Sequence, residues 1–205
     1  MSRREWRYLK YLERHQKHGT NRQLHAGRGV LATPSDIALA AQAPVHEALV
    51  PTGLFERGIG NLVFSRVLPN GRIAMAAFLL DTYCLGVKNA FAAILDRIEY
   101  GRRLSRWSGE RLHPVQPSCF RKLVEGGVAY ALGLGFSPHP DYALVSQIFG
   151  DLQSAECPRR FEYGHEGKPF YISGPNESPA QARAIVDRLA RRLGAGNFDY
   201  LVMAG

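Results

Sequence analysis

A chain of 205 residues, 45% hydrophobic and 21% charged, holds enough apolar material for a packed core, and this composition excludes wholesale disorder. The formal charge of +8 is unevenly placed: residues 1–29 hold eight basic side chains against Glu5 and Glu13, so they carry +6 and the other 176 residues carry +2. The longest apolar run, Ile73 to Leu80, spans eight residues, well short of the roughly 20 that a membrane helix needs.

The N-terminus carries charge where a signal peptide would place its apolar stretch, so a cytoplasmic protein with no membrane partner is expected. Cys84, Cys119 and Cys157 form no Cys-x-x-Cys pair. Neither a disulfide framework nor a zinc ribbon is expected from them, and a reducing compartment fits. No phosphate-binding glycine pattern and no nucleophile elbow occurs, so no cofactor is expected.

In chain order, Ser2 and Glu5 form a capping box that starts a helix. Trp6, Leu9 and Leu12 line one face of it, with Arg3, Arg4, Arg7, Lys10, Arg14 and Lys17 around the rest, and Gly19 stops it. Residues 20–29 read as a linker, which makes 1–29 a basic helical arm ahead of one domain over 30–205. Thr33-Pro34 opens a short Ala-rich helix running to about Gln42, and a short turn follows from Pro44 to Pro51.

Residues 62–68 and 72–80 are apolar and β-prone, and they flank Pro69-Asn70-Gly71, where Asn-Gly supplies the positive φ angles of a tight hairpin. The spacing of Val87, Phe91, Ile94, Leu95 and Ile98 predicts a helix over 85–104, followed by a basic loop to Pro117. Ser118 is expected to cap a helix burying Phe120, Leu123, Val124, Val128 and Ala131. Gly126-Gly127 in its middle disfavours the helix by about 1 kcal/mol each relative to Ala, which suggests close approach by another element.

Pro140-Asp141 starts a third helix that ends at Gly150. Residues 161–163 and 168–173 predict a second hairpin around Gly164-His165-Glu166-Gly167, Ser178 and Gln181 box the next helix, and 198–203 form an edge strand. The sum is an α+β fold: an antiparallel sheet of four to five strands from two hairpins, with helices packed on one face.

Chemistry is sparsely signalled. Asp81 stands at the tip of an apolar strand, where a rigid element exposes a carboxylate for metal binding or base catalysis. A metal-assisted hydrolase or nuclease built on Asp81 would draw on Glu125, His139 and Asp141 as partners, although Asp141 suits a helix cap better. No ligand spacing marks a metal site.

Basic residues interleaved with aromatics carry the stronger signal. Trp6 sits among the arm's cations, and Trp107 sits among Arg102, Arg103 and Arg106, a mixture suited to base stacking beside phosphate contacts. The reading is a cytoplasmic module that binds RNA or another polyanion. A protein partner on which the arm folds, in the manner of an antitoxin, is the remaining alternative.

Overall fold

The computed structural model describes residues 30–106 and 111–202. The predicted arm and linker (1–29) and Trp107 lie outside the described residues. The first elements are β1 (Val30–Leu31), α1 (Pro34–Ala41), β2 (Val45–Pro51), α2 (Leu54–Arg57), β3 (Ile59–Val67), β4 (Ile73–Asp81) and β5 (Gly86–Leu95). They are followed by α3 (Arg97–Arg106), β6 (Leu112–Pro114), α4 (Pro117–Gly133), α5 (Tyr142–Val145), β7 (Phe170–Ile172), α6 (Pro179–Leu193) and β8 (Asp199–Leu201). Short 3-10 turns occupy Ser146–Phe149 and Ser154–Glu156.

The fold is α+β. Six strands in the order β1-β5-β4-β3-β2-β6 make one sheet, antiparallel at every pairing. The hairpin around Asn70-Gly71 is present, with Phe64 opposite Ala76 and Val67 opposite Ile73, although Gly71 alone, and not Asn70, takes a positive φ. Its second strand is buried along most of its length, as a central strand must be.

The helix expected over 85–104 is instead strand β5 followed by helix α3. Both faces of β5 are buried: Val87, Ala90, Ala92 and Ile94 meet one core, and Phe91, Ala93 and Leu95 meet the other. A strand that is apolar on both sides has no alternation, so its residues also satisfied a helical spacing. The turn expected over 44–51 is strand β2, whose weak β-formers His46, Glu47 and Ala48 are overridden by pairing between β3 and β6.

Helices cover both faces, not one. Ile37 and Ala40 of α1, Phe120, Leu123, Val124 and Val128 of α4, and Val145, Ile148 and Phe149 pack on Leu62, Phe64, Ala76 and Phe78. Opposite, Tyr100 and Leu104 of α3 pack on Val63, Ile73, Met75 and Ala77. Arg66 is buried in the first layer and donates to the carbonyls of Ala43, Ile148 and Phe149 at 2.5, 2.7 and 2.6 Å, fastening α1 and the 146–149 turn to β3.

The second predicted hairpin does not join the main sheet. A single bridge links His165 to Lys168, and β7 pairs in parallel with β8 in a separate two-stranded sheet. This C-terminal unit packs Tyr171, Ala182, Leu189 and Phe198 against Cys84, Leu85, Ala131 and Leu134. The N-cap expected at Thr33 and the capping box expected at Ser178 are formed, and Asp36 makes Thr33 a box as well. Ser118, expected as a cap, lies buried inside the first turn of α4, behind Gln116 at the cap and Pro117.

Cys119 and Cys157 are joined in a disulfide across 38 residues, with Cα atoms 4.8 Å apart. This overturns the expectation of unpaired thiols; the separation carries no spacing signal, and only the fold brings the start of α4 against the 154–157 turn. Among the described residues, no helix is long and apolar enough to cross a membrane.

Candidate functional site

Two β-bulges place the polar side chains that matter. Between Leu80↔Val87 and Leu79↔Asn89, β5 has one residue too many, and that residue is Lys88. Between Val45↔Arg66 and Glu47↔Ser65, the extra residue is His46 of β2. A bulged residue leaves the ladder and its side chain is re-aimed, a device common beside functional sites.

Asp81 ends β4 and is buried. Its Oδ1 accepts the backbone N–H groups of Tyr83 and Cys84, both at 2.9 Å, so the carboxylate organises the turn from β4 into β5. Burial pushes its pKa up, opposed by the charge of Lys88 and by these N–H donors. Lys88 itself bonds Glu177 Oε1 at 2.6 Å, and Tyr171 donates to Glu177 Oε2 at 2.5 Å.

Burial would raise the Glu177 pKa, but the charge and hydrogen bond of Lys88, with the Tyr171 bond, hold it below the ordinary carboxylate value. The free thiol of Cys84 is buried beside these groups, and desolvation pushes its pKa up. The arrangement is an ionic staple between β5 and the C-terminal unit.

The other predicted catalytic residues are distributed. His139 and Asp141 meet, with Nδ1 3.8 Å from Asp141 Oδ2 and accepting the Asp141 N–H at 3.3 Å. Asp141 heads α5 but makes no side-chain capping bond, contrary to its expected role as a cap. Glu125 pairs with Arg121 Nε at 2.7 Å on the surface of α4. Asp81 is thus held by its own loop, Glu125 by Arg121, and His139 and Asp141 by each other. Among the described residues, no group of three or more His, Cys, Asp or Glu side chains is placed to hold a metal ion.

Helix α3 carries the described part of the predicted basic surface. Arg102 is 67% exposed, while Arg103 is only 7% exposed and turned onto Glu99 at 3.6 Å. Arg97, which sequence reasoning passed over, and Arg106 are exposed. Glu99 is buried, and Asp96 caps the helix by accepting the Glu99 N–H at 2.7 Å. The outer side of the helix is therefore rich in guanidinium groups. Arg3, Arg4, Arg7, Lys10, Arg14, Lys17, Trp6 and Trp107 lie outside the described residues.

Beneath the same helix lies a polar chain that the sequence did not reveal. Ser65, fully buried on β3, has its Oγ 3.0 Å from Tyr100 Oη, and Tyr100 donates to Glu47 Oε2 at 2.7 Å. Glu47 Oε2 lies 4.0 Å from His46 Nε2, and the His46 ring sits 5.5 Å from that of Tyr100. Tyr100 is buried, and desolvation pushes its pKa up. His46 and Glu47 are 27% and 38% exposed. A His-Glu dipeptide in a presumed turn gives no period to detect, and only the bulge puts both residues on one face.

Comparison with protein families, with curated proteins and with solved structures gives no match.

Proposed function

We propose that the protein binds single-stranded RNA through the basic arm and helix α3. The observation that carries this reading is the sorting of charge on α3: Arg97, Arg102 and Arg106 are exposed, while the buried Glu99 lies 3.6 Å from Arg103 and 3.9 Å from Arg102. With Glu99 buried and Asp96 accepting from the helix N-terminus, the outer side of α3 presents a net excess of guanidinium charge to a polyanion, and each neutralised phosphate releases counterions. Arg103 is spent on Glu99 and stands outside the binding set.

The arm adds six units of charge, and Trp6 and Trp107 supply rings on which unpaired bases stack. Binding of a fluorescent RNA oligomer to the full chain, compared with the Arg97→Gln, Arg102→Gln, Arg106→Gln triple variant, tests the helix's part. Loss of affinity in the triple variant supports the reading, and equal affinity removes α3 from it.

The reading places the protein in the cytoplasm. Stable disulfides are rare there, so the Cys119–Cys157 bond is the observation that weighs against this placement. Alkylation of the protein directly on cell lysis checks this point.

A further inference from the structure

The chain Ser65–Tyr100–Glu47–His46 runs from the interior to the surface, hydrogen-bonded from Ser65 through Tyr100 to Glu47, with His46 at ion-pair distance from the carboxylate. Ser65 is 0% exposed and Tyr100 5%, so the inner end is fixed by packing. Glu47 accepts from Tyr100 at 2.7 Å, which anchors its carboxylate beside the imidazole. His46 is the outermost member, lifted from the strand ladder by the β2 bulge and partly open to solvent. A carboxylate that orients an imidazole, itself held by a buried hydroxyl, is the support that a general base requires. The 4.0 Å between Glu47 Oε2 and His46 Nε2 is longer than a hydrogen bond, and such contacts commonly tighten when substrate binds.

The helix that supplies Tyr100 also displays Arg97, Arg102 and Arg106. The His46 ring lies 5.5 Å from that of Tyr100, so a strand held along this helix would pass beside the imidazole. The geometry points to His46 as the general base of metal-independent RNA phosphodiester cleavage, with Glu47 and Tyr100 as positioning residues. This inference rests on the RNA-binding reading.

In the step, His46 takes the proton of a ribose 2′-hydroxyl and the 2′-oxygen bonds to the adjacent phosphorus. The bond from phosphorus to the 5′-oxygen breaks, and that oxygen leaves with the proton returned by the imidazolium. The products are a 2′,3′-cyclic phosphate and a 5′-hydroxyl, and no oxidant, reductant or metal is required.

The test incubates the full chain with end-labelled single-stranded RNA in excess chelator, alongside a binding measurement on the same RNA. Cleavage to cyclic-phosphate ends is expected, abolished when the ribose is 2′-deoxy. His46→Ala is expected to lose about 10²–10⁴-fold in rate, the usual range of acid–base catalysis, and to regain activity with added imidazole. Imidazole rescue separates a missing base from a damaged fold. Glu47→Gln and Tyr100→Phe are expected to lower kcat with KM little changed. Binding without cleavage overturns this inference and leaves the binding reading standing. Neither binding nor cleavage overturns both. Cleavage that persists undiminished in His46→Ala removes His46 from the chemistry.

Discussion

Replacing Gly126 by alanine puts the packing of α4 to a quantitative test. A Cβ at Gly126 would stand 2.3 Å from Tyr163 Oη and 2.9 Å from the adjacent ring carbon. To reach ordinary contact the phenol must move by about 1 Å. It is held by a 2.8 Å bond to the Leu123 carbonyl and by stacking on Tyr130 at 5.7 Å. Losing that bond removes about 1 kcal/mol, and forcing a packed ring aside costs about 1–3 kcal/mol. Alanine returns about 1 kcal/mol through its helix propensity.

The balance is a destabilisation of about 1–3 kcal/mol, a fall of roughly 2–12 °C in Tm for a chain of this size. Gly101→Ala in α3 is the control, because nothing lies within 4 Å of its would-be Cβ, and it should gain up to about 1 kcal/mol. Chemical denaturation of both variants measures the two values. A Gly126→Ala protein as stable as the parent would refute the close approach of Tyr163.

Asp81→Ala should destabilise by about 1–3 kcal/mol because the Tyr83 and Cys84 N–H groups lose their acceptor, while Asp81→Asn keeps an acceptor and should be milder; denaturation midpoints decide. Glu177 has a depressed pKa, so its ionised form adds stability that is fully present above the ordinary carboxyl pKa and is lost as pH falls through the folded value. Glu177→Gln should accordingly flatten the acid side of the stability-against-pH curve, and an unchanged curve contradicts the ionic staple. Closing a loop of 38 residues constrains the unfolded chain by about 4 kcal/mol, so reduction of Cys119–Cys157 should lower Tm by about 8–16 °C. A Tm unmoved by reductant shows that the two thiols were not bonded.

The parts of the fold legible in the sequence are those whose signal is local. Asn70-Gly71 marks its hairpin, Thr33 its N-cap, Ser178 its capping box, and Phe120 to Ala131 the buried stripe of α4. What escaped depends on pairing between distant segments. β5 is apolar on both faces, so its period is ambiguous, and β2 is a strand only because β3 and β6 flank it. The crowding at Gly126-Gly127 was foreseeable, but its agents, Tyr163 and Leu80, were not.

The candidate sites show the same division. Exposed arginines on α3 follow from composition, whereas the inward turn of Arg103 follows from the face that Tyr100 buries. Asp81 stood out as an acid at a strand tip, and the neighbouring pair Lys88 and Glu177, 89 residues apart, carried no shared pattern. His46 and Lys88 matter because they are bulged, and a bulge is a property of two strands in register.

The central claim is that α3 and the arm contact phosphates, and the salt dependence of RNA binding tests it most directly. Affinity of the full chain for a single-stranded oligomer should fall steeply with salt, and the slope of log K against log salt should drop by about 2 when Arg97, Arg102 and Arg106 are replaced by glutamine. Replacing Arg3, Arg4, Arg7, Lys10, Arg14 and Lys17 should drop it further. Absence of binding, or a slope that neither set of substitutions changes, would contradict the account.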